Sequence, residues 1–181
     1  MELKIALTLN DNSEAANVAS HLGGALYSDE REDTSRLPFT ALVTGVTDDV
    51  QQFADSAVEG VYVVAERIIK PGVAKVFSLS PMVGNPDLSH AQSDAHWRDT
   101  HAPLALKHHA YMTEYVQLSI LHCIRGRALD GFALCGFETV EDLKTRFFSE
   151  PDSYEVIMDD IPKFADTAKS PRPLIATPHR F

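Results

Sequence analysis

The chain has 181 residues, a net charge of −10 and an apolar fraction of 44%, which is ordinary for a folded globular protein. An acidic chain without a run of Lys and Arg is poorly suited to binding phosphate backbones, so the composition argues against nucleic-acid binding. No apolar run approaches the length of a membrane span, and the first residues lack a basic region followed by an apolar one, so we expect no membrane association and a cytoplasmic location.

The first half of the chain predicts alternating strands and helices. Alternating apolar residues predict a strand at 3–9, and the capping-box pattern that starts at Asp11 predicts a helix to about residue 22, ended by Gly23-Gly24. The later elements are a weak strand near 25–28, a loop at 29–36, a strand at 39–46, a helix at 47–57 and a strand at 61–69. Pro71-Gly72 is the strongest break in the middle of the chain.

The second half repeats this order of elements. It predicts a strand at 73–79, a loop at 80–88, a helical region from 89 to about 109, strands at 111–124 and 131–137, a helix at 139–148, short helical turns in 149–170 and a last strand at 171–177. Each half therefore follows the ferredoxin-like order. We predict an α+β fold in which two ferredoxin-like repeats, residues 1–71 and 72–181, pack as one α+β barrel. The alternative is one sheet per half, each pairing with another chain, and a homodimer stays open.

The segment 96–104 contains the single Trp of the chain and two of its eight His. On an ideal helix, one face carries Trp97, His101, Leu104 and His108. Pro103 removes one backbone hydrogen bond and should kink this helix near Asp99, which would aim His101 into a cavity. An imidazole in a cavity is suited to proton transfer near neutral pH. The alternative is a core position for Trp97 and a buried, hydrogen-bonded His101.

Helical geometry argues against a metal site in the histidine-rich region. His96 and His101 diverge by about 140° on an ideal helix, and His101 and His108 lie about 10 Å apart along the axis. We therefore predict neither a bound metal nor haem. The chain lacks a Gly-rich phosphate loop, a nucleophile elbow and a Cys-His motif, so we predict no nucleotide cofactor and no covalent catalysis. Asp159-Asp160 is predicted to be a solvated helix end.

The strand at 111–124 has two different faces. Its mixed face carries Tyr115, Gln117, Ser119, Leu121 and Cys123, and its more apolar face carries Val116, Leu118, Ile120, His122 and Ile124. We predict that the apolar face meets helices or core. The mixed face is then expected to line a barrel lumen that contains a small molecule, with Tyr115 and Gln117 as polar ligand contacts. A solvated sheet face is the alternative.

Residues spread over 73–164 resemble the EthD family of dimeric α+β barrels. The resemblance is carried by Leu88-Ser89, Trp97, His101-Ala102-Pro103-Leu104, Tyr115-Val116-Gln117, Asp130-Gly131, Phe137, Glu150-Pro151 and Phe164-Ala165-Asp166. The first half looks like a degenerate second repeat. The resemblance implies a pocket between the sheet and its helices, lined in part by His101. EthD members are associated with breakdown of xenobiotic ethers, and relatives of this barrel act as cyclases, dehydratases, decarboxylases or monooxygenases, some with haem.

Two main functions follow from these patterns. One is a cofactor-free cyclase, dehydratase, decarboxylase or oxygenase acting on a small hydrophobic or aromatic metabolite, with His101 as acid or base. Ligand contacts are then predicted from His96, Trp97, Tyr115 and Gln117. The other is a non-catalytic ligand-binding or accessory protein, favoured by three departures from the family pattern: Ser93 replaces an aromatic residue, 77–80 lacks a basic residue, and Leu134 replaces an acidic one. A purely structural module with a filled lumen is the third alternative.

Overall fold

The computed structural model describes residues 2–53 and 58–181. Its strands are β1 (Glu2–Leu9), β2 (Ala25–Ser28), β3 (Ala41–Gly45), β4 (Gly60–Lys70), β5 (Val76–Met82), β6 (Glu114–Arg125), β7 (Gly131–Phe137) and β8 (Leu174–Arg180). Its α-helices are α1 (Asn12–Leu22), α2 (His90–His96), α3 (Ala102–His108), α4 (Val140–Thr145) and α5 (Ser153–Asp160). A π-helical turn, Trp97–His101, joins α2 to α3, and 3₁₀ turns occupy Val50–Phe53 and Ile161–Lys163. Across these described ranges, no helix has the length and apolar character needed to cross a membrane.

The eight strands close into one antiparallel barrel in the order β1-β3-β2-β8-β5-β7-β6-β4. The first four strands lie side by side as β4-β1-β3-β2, and the last four lie side by side as β8-β5-β7-β6. Two pairings join these groups: β2 with β8, and the long β4 with β6. The barrel therefore closes within one chain, as predicted, and does not require a partner chain to complete its sheet.

Local signals placed most elements correctly, with three differences. The Asp11 side chain accepts hydrogen bonds from two backbone N–H groups at the start of α1, and Ser89 forms a full capping box with Gln92 at the start of α2. Strand β5 continues beyond the predicted residue 79 to Met82, because this segment pairs with β7. In place of the helix predicted at 47–57 the structure has only the 3₁₀ turn Val50–Phe53, and residues 54–57 lie outside the described residues. The helix predicted from 89 to about 109 is divided by the π-helical turn.

The central part of the barrel lumen is filled with apolar side chains contributed by all eight strands. They include Ala6, Tyr27, Leu42, Tyr62, Val64, Phe77, Leu79, Val116, Leu118, Ile120, Phe132, Leu134, Leu174 and Ala176. Phe132 meets Tyr62 edge to face, with 5.6 Å between ring centroids, and is fully buried. An eight-stranded barrel is just wide enough for its side chains to fill, so this lumen is hydrophobic core.

The apolar face of β6 meets core, as predicted, but the mixed face does not line the lumen. Val116, Leu118 and Ile120 point into the lumen, whereas Tyr115 contacts the helices outside the barrel. The residues at the centre of the lumen are buried and apolar, so the lumen takes the more apolar face of β6. The mixed face lies outside, where the Tyr115 hydroxyl and Gln117 Nε2 form hydrogen bonds with Trp97. The prediction that Tyr115 and Gln117 line the lumen is therefore wrong.

Helices cover the outside of the barrel in two separate layers. Ala15, Val18 and Ala19 of α1 pack on the outer faces of β1, β2 and β3. On the other half, Ala102 and Ala105 of α3 pack with residues of β5, β6 and β7. The site described below lies in this second layer.

Candidate functional site

A π-helical turn brings two histidines onto one carboxylate. The backbone N–H of Ala102 donates to the carbonyl of Trp97, five residues back. Pro103 follows directly, and because its ring would clash with the carbonyl four residues earlier, the wider turn relieves that clash. In such a turn residues five apart share a face, so His96 Nε2 and His101 Nδ1 each lie 3.0 Å from a different oxygen of Asp160. The predicted divergence of His96 and His101 is therefore wrong.

Asp160 is buried, with only 2% of its surface exposed. The prediction of a solvated helix end at Asp159-Asp160 is wrong for this residue, because the end of α5 turns its carboxylate toward the π-helical turn. Burial alone would raise the pKa of Asp160, but hydrogen bonds from His96 and His101 outweigh that effect, and the pKa is lowered. An ionised carboxylate only accepts hydrogen bonds, so both histidines donate to it.

His101 is thereby fixed with its proton on Nδ1. Burial lowers the pKa of His101, although the hydrogen bond to Asp160 opposes this effect in part, so the ring is neutral near neutral pH. Within the described part of the chain, Nε2 has no hydrogen-bond partner. The ring packs against Phe164 at 4.8 Å between centroids. Nε2 is therefore an unprotonated base beside the apolar ring of Phe164.

His101 lines a cavity of about 520 Å³ that lies outside the barrel, between the sheet and its helices. This is the location that the family resemblance implies. The floor consists of small residues on adjacent strands, with Ser78 opposite Cys135 and Ser80 opposite Ala133. The opposite wall is largely aromatic and apolar, and includes Phe147, Phe148, Met158, Ile161 and Phe164. The lining of the cavity is thus mostly apolar, and Thr167, Ser170 and Arg172 add polar groups to it.

The structure brings three of the predicted site residues, Trp97, His101 and Tyr115, to the cavity wall. Gln117 and His96 lie behind it. Gln117 is fully buried and donates from Nε2 to the Trp97 carbonyl at 3.2 Å and to the Tyr115 hydroxyl at 3.0 Å. Trp97 Nε1 donates to the same hydroxyl at 3.2 Å. Tyr115 and Gln117 therefore brace the π-helical turn, and burial raises the pKa of Tyr115, which keeps its hydroxyl neutral.

His109 also lines the cavity, and the sequence pattern missed it. The predicted face carried His108, which instead lies 3.0 Å from Ser153 through its Nδ1. A π-helical turn adds one residue to a helix, so every later residue on a given face is one position further along the chain. His109 therefore lies on the face where an ideal α-helix would place His108. His109 Nδ1 donates to the Phe147 carbonyl at 2.7 Å, and burial lowers the pKa of His109 to about 4. The i, i+4, i+8 spacing of His101, Ala105 and His109 is the signal that could have identified it.

The low pKa of His109 predicts acid sensitivity. Between about pH 6.5 and 4 the unfolded chain binds a proton at this residue and the folded chain does not, so stability falls as pH is lowered through this window. The full shift corresponds to about 3 kcal/mol. We expect urea unfolding of His109→Phe to show a weaker loss of stability across this window than the wild type. An unchanged pH dependence would contradict the assignment.

No group of three or more His, Cys, Asp or Glu side chains within residues 2–53 and 58–181 is positioned to bind a metal ion. Asp160 is occupied by hydrogen bonds from His96 and His101, and Lys163 Nζ lies 3.5 Å from its Oδ1.

Comparisons with known proteins identify the fold. No family model and no curated protein matches the chain, so the EthD resemblance is not confirmed. One similar solved structure is an anthrone oxidase-like protein, with a TM-score of 0.59 and 8% identity, covering 98% of this chain and 92% of that one. Another is described as a "putative monooxygenase" from Lactobacillus acidophilus NCFM, with a TM-score of 0.51 and 11% identity, covering 97% and 92%. At such identities the likeness shows the α+β barrel fold alone.

Proposed function

We propose that this protein is a cofactor-free enzyme that binds a small hydrophobic or aromatic molecule in the cavity outside the barrel and removes a proton from it with His101. One observation carries the proposal. Asp160 fixes the tautomer of His101 so that the unprotonated Nε2 is left for the cavity. An acid–imidazole pair of this kind orients the base and stabilises the imidazolium formed when the base takes a proton.

Among the predicted reaction classes, the names of the two similar structures favour oxygenation. For an aromatic ketone such as anthrone, His101 Nε2 takes the proton from the activated ring carbon and leaves a resonance-stabilised carbanion. The carbanion combines with O₂ to form a hydroperoxide once a proton returns to the peroxide oxygen. Loss of water then gives the quinone, so anthrone and O₂ yield anthraquinone and water. Oxygen is the oxidant, and no other redox partner is required.

The remaining groups of the cavity suit proton transfer better than covalent catalysis. Burial raises the pKa of the Cys135 thiol to about 12, so the thiol stays protonated and is a poor nucleophile. The aromatic wall offers water few hydrogen-bond partners, which limits protonation of the carbanion by water. Trp97 and Tyr115 provide flat contact area.

We also propose that the barrel consists of two ferredoxin-like repeats, a degenerate one at 1–71 and an EthD-like one at 72–181. The support is the strand order, which is β4-β1-β3-β2 in the first half and β8-β5-β7-β6 in the second. The cytoplasmic location and the homodimer stay predictions.

Anthrone itself is the probe that tests the proposed function. Trp97 is the single Trp of the chain and lines the cavity, so its fluorescence reports binding there. We expect anthrone to quench this fluorescence and to be converted to anthraquinone with equal uptake of O₂. Binding without turnover would support the alternative of a non-catalytic binding protein, which the absence of a basic residue at 77–80 favours. Absence of both binding and turnover would overturn the proposal.

A further inference from the structure

His109 is a second histidine on the wall of a largely apolar cavity. Only 3% of its surface is exposed, yet it lines the cavity. The centroid of its ring lies 4.7 Å from that of Phe147 and 5.3 Å from that of Phe148. Its Nδ1 is already bonded to the Phe147 carbonyl, and its Nε2 has no hydrogen-bond partner among residues 2–53 and 58–181. Since a carbonyl only accepts, the proton is on Nδ1, and Nε2 is left as an acceptor.

The two acceptors, His101 and His109, lie at separate positions along the cavity. The seven residues of α3 lie between them, and the eight steps from one to the other correspond to about 12 Å along the axis. The residue between them on the cavity wall is Ala105, whose small side chain leaves this stretch open. The floor beneath is formed by small residues and the opposite wall by aromatic ones, as described above. A flat ligand can therefore contact both imidazoles.

We propose that His109 is a specificity-determining residue that accepts a hydrogen bond from a neutral hydroxyl group of the ligand, at a position remote from the carbon that His101 deprotonates. The inference rests on the proposed function and names the chemical class of its ligand: a fused-ring aromatic molecule with a phenol hydroxyl. A ligand carbonyl or carboxylate at this position would place lone pair against lone pair. An ammonium group is disfavoured because no carboxylate is among the described residues that line the cavity.

Two quinones that differ only in one donor test the proposal. 2-Hydroxyanthraquinone and 2-methoxyanthraquinone are titrated into the protein in buffer below the phenol pKa, and binding is followed by quenching of Trp97. We expect the wild type to bind the hydroxyl compound about three- to tenfold more tightly, as one neutral hydrogen bond provides. His109→Phe should abolish this preference, whereas His101→Phe should keep it. The exposed His122→Phe is the matched control and should behave as the wild type.

Each outcome separates this inference from the proposed function. Equal affinity of the two quinones for the wild type would overturn the role of His109 and leave the cavity and His101 unaffected. Loss of the preference in His101→Phe with its retention in His109→Phe would also overturn it. Absence of quenching by either quinone would overturn both this inference and the proposed cavity. Circular dichroism checks the fold of each variant, and His109→Leu replaces His109→Phe where the larger ring is not accommodated.

Discussion

Replacement of His101 by glutamine is expected to lower the turnover of anthrone by about 10²- to 10⁴-fold, the usual contribution of a general base. Glutamine fills a similar volume but has no basic nitrogen, so KM should change much less than kcat. Both constants are measured by O₂ uptake. The wild-type rate should fall on the acid side, because a protonated His101 cannot accept a proton, and burial places this midpoint below the ordinary pKa of histidine. Full turnover by His101→Gln would exclude His101 as the base.

Asp160→Asn separates orientation from proton transfer in the same assay. Asp160 is a positioning residue because it contacts His101 and is absent from the cavity lining. An Asn side chain can present its amide to Nδ1 and favour the tautomer with its proton on Nε2, so kcat should fall. The carboxylate also raises the pKa of His101, so its loss should move the acid limb of the rate profile to lower pH. A purely structural role would lower the amount of active protein without moving this limb.

Replacement of Phe132 by alanine is expected to lower the free energy of unfolding by about 3–5 kcal/mol. Phe132 is fully buried in the lumen, between Phe39 and Tyr62, and its truncation leaves a void in rigid packing. Urea unfolding measures the change. Ligand binding at Trp97 should persist, because the lumen and the cavity lie on opposite faces of the sheet.

Phe148→Ala is the matched substitution on the cavity side. Phe148 is half-buried and lines the cavity, so its truncation should cost less stability than that of Phe132 and should weaken the binding of anthrone. The reverse pattern, with weaker binding in Phe132→Ala and unchanged binding in Phe148→Ala, would place the ligand in the lumen.

The barrel could be predicted from local signals because they agree with the global fold. Helix caps at Asp11 and Ser89 and the alternation in β1 are properties of a few neighbouring residues, and the repeated succession of elements predicted one barrel within the chain. The inward face of β6 could not be predicted in the same way. Alternation along β6 defines two faces but does not say which of them points into the lumen. That depends on Trp97, outside the barrel, which forms hydrogen bonds with Tyr115 and Gln117.

The candidate site could be predicted only in part. His101 was identified from the spacing around Trp97 and from the family resemblance. Asp160 was not, because it lies 59 residues from His101 and no local pattern connects them. The π-helical turn explains two further errors. Ideal α-helical geometry places His96 and His101 on different faces and puts His108 on the same face as His101. The extra residue before Pro103 instead brings His96 and His101 together and places His109, not His108, on the cavity wall.

The protonation state of the His101 ring in solution tests the central claim most directly. Long-range ¹H–¹⁵N correlation spectra of the imidazole distinguish the two neutral tautomers and the imidazolium, and comparison with His101→Gln assigns the signals. We predict a neutral ring near neutral pH with its proton on Nδ1 and an unprotonated Nε2. A ring protonated on Nε2, or on both nitrogens, would contradict the assignment of His101 as a base that Asp160 orients toward the cavity.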